Sequence, residues 1–129
     1  GISAINKNVR SGGNIIGESG VVMFRREIFS KTNGFINTHH YVIDLSCWYQ
    51  ILLLGDLFSM SEVVGSFRVS NVSASTKIKD TQKNDLLAFN KEIYADKRFG
   101  LSYSSYVIGN ISVYFLSWAK KILYRFILK

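Results

Sequence analysis

Only one cysteine, Cys47, occurs in these 129 residues, so no internal disulfide can form. Histidine is nearly as scarce. His39 and His40 are adjacent and cannot share one helix face, and Cys47 lies in an apolar stretch, so protein side chains alone make a poor metal site. Low-complexity runs are missing, and with 47% hydrophobic and 14% aromatic residues the chain reads as folded. Acidic residues are few: 9 against 16 Lys and Arg leave a net charge of +7. That balance suits an anionic partner, or simply a solvated basic surface. No signal peptide is visible. The length allows one domain, and a start of Gly-Ile-Ser without methionine suggests a piece of something longer.

What is present divides into three stretches. Residues 1–13 are polar and end in Ser-Gly-Gly, which predicts a flexible lead-in. Within residues 14–24 the part from Val21 to Phe24 reads as a buried strand, and residues 25–31 suit about two helical turns stopped by Asn33-Gly34. From 41 to 54 the apolar positions Leu45, Trp48 or Tyr49, and Leu52 recur at helical spacing, and Gly55 ends the pattern. Residues 57–60 and 62–69 read as two strands around a turn, followed by a polar loop over 70–76. A helix running to Asp96 follows, with Leu86, Leu87, Phe89, Ile93 and Tyr94 on its inner face. The last stretch, 101–129, carries no charge until Lys120 and then turns basic. Five serines and Asn110 argue against a membrane span there. An amphipathic helix fits better, with Lys121, Arg125 and Lys129 every four residues along one stripe, either against an anionic surface or packed on its own domain.

The fold class predicted is α+β: mostly helical, with a small sheet of two or three strands in which 21–24 lie beside 63–69. Within the helix over 41–54, Asp44 stands out as a carboxylate among apolar neighbours, with Trp48 one turn on. A capping aspartate is the ordinary explanation of such a residue.

The order of pieces over residues 14–76 resembles the C-terminal, acceptor-side half of family 2 glycosyltransferases of the GT-A type. Phe24-Arg25-Arg26-Glu27, then Gly34-Phe35, Asp44 with Trp48, Gly55-Asp56, and Arg68 with Ser73 fall in the family's order and spacing. Residues 14–100 would then be the acceptor-side region of a partial GT-A fold that lacks the N-terminal nucleotide-binding half. The resemblance implies that Asp44 is the general base that deprotonates the acceptor hydroxyl. A carboxylate held ionised at a helix N-terminus suits that task. It also implies that Arg68 approaches the donor diphosphate. Glu18 would face a sugar, and Trp48 would wall a sugar ring or fill the core. Ser70 stands where the family often has a metal-holding histidine, and Ile43 where it often has a first acid.

The resemblance further implies a nucleotide-sugar donor, a glycan or lipid-linked acceptor of the bacterial cell envelope, and a divalent metal, Mg or Mn, in the full-length enzyme. It places the protein in the cytoplasm, peripheral at the inner face of the membrane, with residues 103–129 resting on anionic headgroups. No Asp-x-Asp occurs in the chain, so neither donor nor metal is expected to bind this chain alone. The isolated chain is expected to be inactive, and apolar surface left uncovered should promote self-association. A reading of another class is a non-catalytic basic helical module that binds a membrane surface. Nucleic acid is disfavoured, because the basic residues are spread along the chain rather than clustered on one helix.

Overall fold

Ile5 and Val9, four residues apart, give the first ten residues one apolar stripe, and that stripe is fully buried in helix α1 (Ile2–Ser11). The computed structural model describes residues 1–66 and 81–127, with side chains as far as Leu123. Residues 1–13 are thus largely helix and not a flexible lead-in. The polar residues that make them look loose are what tie them down. Asn8, 1% exposed, donates from Nδ2 to the Tyr49 hydroxyl at 2.8 Å and accepts the Ile15 N–H at 2.8 Å. Asn6 donates to the Gly100 carbonyl and accepts the Ser102 N–H, joining α1 to a segment 94 residues away. Gly12 closes the helix in the left-handed conformation (φ 73°).

Four further helices follow among the described residues, besides one 3₁₀ turn at Lys97–Phe99. Helix α2 (Arg26–Phe29) is a single turn, and Gly34 stops the segment after it at φ 64°. Helix α3 (Ile43–Leu52) buries Leu45, Cys47, Trp48, Tyr49 and Leu52, and so sits at the centre of the core. Helix α4 (Gln82–Ala95) turns Leu86, Phe89 and Ile93 inward, while Leu87 and Tyr94 are partly buried at its flank. Helix α5 (Tyr103–Ile127), roughly 37 Å long at 1.5 Å per residue, packs one face on α1 and α4 through Val113 and a hydrogen bond between Asn90 and Asn110.

No strand occurs among the described residues, which corrects the α+β expectation to a helical fold and removes the GT-A-type sheet expected with it. Val21, Val22, Val63 and Val64 supply strand propensity, but a strand needs a ladder partner. Val21 instead closes a turn by donating to the Glu18 carbonyl. Phe24 leaves any alternating pattern to pack its ring against Phe29 (5.3 Å) and Trp48 (5.5 Å). Residues 57–66 run without regular structure, and Val63, at 93% exposure, has no face to cover it. The remainder of that second strand and the loop after it lie outside the described residues. No helix among the described residues is long and apolar enough to cross a membrane.

The α1–α5 crossing depends on the absence of a side chain at Gly109. A Cβ there would lie 2.5 Å from the Val9 carbonyl oxygen, which is backbone and cannot rotate away. Gly109→Ala should therefore lower the unfolding free energy in urea by about 1–3 kcal/mol. Gly20→Ala, where a Cβ meets nothing within 4 Å, should stay within about 0.5 kcal/mol of wild type. Equal midpoints for the two variants would contradict this crossing.

Candidate functional site

The turn ahead of Val21 is built by Asn14 and held down by Trp48. Asn14 Oδ1 accepts the N–H groups of Ile16 and Gly17, and its Nδ2 donates to the Gly17 carbonyl at 3.0 Å. The same carbonyl accepts the indole N–H of Trp48 at 3.1 Å. Gly17 adopts φ 126°, a conformation that side-chain-bearing residues rarely take, so the turn needs glycine there. These bonds set the next residue, Glu18, over the first turn of α3.

At that turn the N-cap is Val42, and Asp44 is the second helical residue, so Asp44 is not the capping aspartate of α3. Its carboxylate stands where the helix dipole favours negative charge and is half-buried. The Glu18 side chain lies beside it, close enough for a hydrogen bond between the two carboxyls, although Glu18 as a residue remains exposed on the solvent side. Two carboxyl groups can share such a bond only if one carries a proton. Glu18 is the group pushed towards protonation. Partial burial of its carboxyl raises its pKa, the charge of Asp44 and the bond to Asp44 raise it further, and Lys120 opposes them.

Lys120 reaches this neighbourhood from α5. Its ammonium donates to the Tyr41 hydroxyl at 3.1 Å and lies 5.4 Å from the centre of the Tyr41 ring. Cys47, one turn along α3 from Asp44, is no nucleophile here. Burial pushes its thiol pKa up, and the nearby Asp44 charge adds to the effect.

The structure brings together two of the residues singled out in the sequence, Glu18 and Asp44, with Trp48 buried one turn along α3. Trp48 is 2% exposed and ringed by Phe24 and Phe35. It has no face left for a sugar, so it positions the Glu18 turn and does not contact substrate. Arg68 and Ser70 lie outside the described residues. Lys120 was missed by sequence reading. It belongs to the basic tail by composition, and only the packing of α5 against Tyr41 turns it inward.

Among the described residues no three His, Cys, Asp or Glu side chains converge as a metal ion would need. The Glu18–Asp44 pair is two carboxyls beside a lysine, which does not fit the divalent ion implied by the resemblance, and no step is routed through one.

A cleft of about 260 Å³ opens on the opposite face of α3, between Val42, Ser46 and Gln50 on one side and Phe89 and Glu92 of α4 on the other. Its rim is satisfied internally. His39 meets Glu92 at 2.9 Å, and Arg98 meets Asp96 in a forked pair at 2.6 Å. The concavity and the perturbed carboxyl are therefore on different faces of α3.

Comparison with protein-family profiles, curated proteins and solved structures finds no match to this chain.

Because the native chain holds a proton on Glu18 more tightly than the unfolded chain does, the stability from this group is present at low pH. It is lost as pH rises through the folded-state value. Glu18→Gln keeps a hydrogen-bond donor towards Asp44 without that loss. Its melting temperature should exceed wild type at neutral pH and converge with it at about pH 4 and below. Parallel curves across the range would contradict the shared proton.

Proposed function

We propose that the Glu18–Asp44 pair is the acid–base centre of a sugar transfer from a nucleotide-sugar donor to a glycan or lipid-linked acceptor. Asp44 is the base, and the donor is held by residues beyond those of this chain. The observation that carries the reading is the Glu18 carboxyl placed beside Asp44 at the first turn of α3. The reading also draws on the resemblance of the residue order to family 2 glycosyltransferases.

In this reaction the acceptor hydroxyl approaches from solvent, where Glu18 is exposed. The bond between the sugar's anomeric carbon and the nucleotide phosphate oxygen breaks as the bond to the acceptor oxygen forms. The hydroxyl proton passes to Asp44, and the nucleotide departs with the electron pair of the broken bond. Asp44 suits the step because its carboxylate stands half-buried in the first turn of α3, where an acceptor hydroxyl can reach it from the Glu18 side. Glu18 acts as a positioning residue beside Asp44 for as long as it keeps its proton. Lys120 sets the local charge balance against the two carboxyls.

The test uses the natural protein that contains this chain, assayed with nucleotide sugars and an envelope lipid extract from its source cells. Asp44→Asn should reduce transfer by about 10²–10⁴-fold while leaving the circular dichroism spectrum and donor binding unchanged. Glu18→Gln should cost less and shift the alkaline side of the rate profile. Transfer that survives Asp44→Asn at the wild-type rate would overturn the assignment.

A further inference from the structure

Helix α5 has two apolar faces, and only one is used. The face bearing Val113 packs on α1 and α4. On the other, Ile108, Ile111, Phe115, Trp118 and Ile122 recur at alternating spacings of three and four and all stand exposed. Ile111, Phe115 and Trp118 are each more than half exposed. The Phe115 and Trp118 rings lie 6.2 Å apart and form the broadest part of this stripe. A helix that is apolar all round is normally buried on all sides, so the outward stripe is a docking face.

A 3.5-residue repeat would also suit a second helix, and charge decides between the occupants. Helix α5 holds three basic residues, Lys120, Lys121 and Arg125, and no acidic one. Lys121 is exposed beside the stripe, and Lys83 of α4 stands 5.0 Å from the Tyr114 ring at its flank. A second copy would bring the basic residues of this helix against themselves, whereas an anionic surface complements them. The helix is not apolar enough to cross a bilayer, and an apolar stripe edged with lysines is the pattern that lies in the headgroup plane.

We propose that the Ile108–Ile122 face of α5 docks on an anionic lipid membrane, with Phe115 and Trp118 inserted at the headgroup boundary. This goes beyond the sugar-transfer reading and does not require it. It would bring the Glu18–Asp44 pair near a membrane, because Lys120, on the inward face of the same helix, holds Tyr41 next to α3.

The full chain is mixed with vesicles of phosphatidylcholine alone, or of phosphatidylcholine with phosphatidylglycerol, and sedimented. Binding should favour the anionic vesicles by more than about tenfold, since each lysine or arginine near the surface adds to the attraction, and should weaken with added salt. Trp118 fluorescence should shift to the blue on binding and be quenched by brominated lipid, whereas the buried Trp48 should not respond. Phe115→Ser and Trp118→Ser change exposed positions, so the folded spectrum should persist while binding falls. Equal binding to both vesicles, or none, would overturn the proposal. So would a concentration-dependent dimer dispersed by the same two substitutions, since a second copy would then cover the face.

Discussion

Asn8 is the buried polar residue on which the arrangement depends. Its amide satisfies the Tyr49 hydroxyl on one side and the Ile15 N–H on the other, so one fully buried side chain joins α1, α3 and the segment that follows α1. A buried amide without partners costs far more than the same amide in a bond, so any packing that separates these three segments is penalised. Once Ile15 is fixed, Asn14 shapes the turn and Trp48 seizes its Gly17 carbonyl. Glu18 then has little choice of position. The pair it forms with Asp44 results from bonds made elsewhere in the core.

Helices α3 and α4 were legible because their signals are local. Leu45, Trp48 and Leu52 repeat at the period of one helix face, and Leu86, Phe89 and Ile93 do the same in α4. Asn33-Gly34 announces a left-handed stop, and Gly34 adopts it. What failed was non-local. The run from Val21 to Phe24 has strand composition, but its fate was set by the ring of Phe24 finding Phe29 and Trp48. Residues 1–13 look loose because Asn6 and Asn8 are polar, yet both find partners in distant segments that no window of the sequence contains.

The site was half legible for the same reason. Asp44 is conspicuous in the sequence, since a carboxylate inside an apolar helix demands a reason. Its partner Glu18 is one acid in a glycine-bearing turn, and only the Trp48 bond gives it a place. Lys120 looks like part of a solvated basic tail until α5 is packed, when it turns to Tyr41. Trp48 has two readings, and burial chooses the core. Its spacing from Asp44 suggests a substrate wall, but 2% exposure assigns it to the core. α5 joins both halves of the account: its inward face carries the lysine of the site and its outward face carries the uncovered aromatics.

The central claim is that the core holds the Glu18 carboxyl against Asp44. The most direct measurement is an NMR titration of the side-chain carboxyl carbons of Glu18 and Asp44 in wild type and in Asp44→Asn. Glu18 should titrate above the ordinary glutamate value in wild type and move down when the Asp44 charge is removed. An ordinary value for Glu18, unmoved by Asp44→Asn, would show that the two groups do not meet.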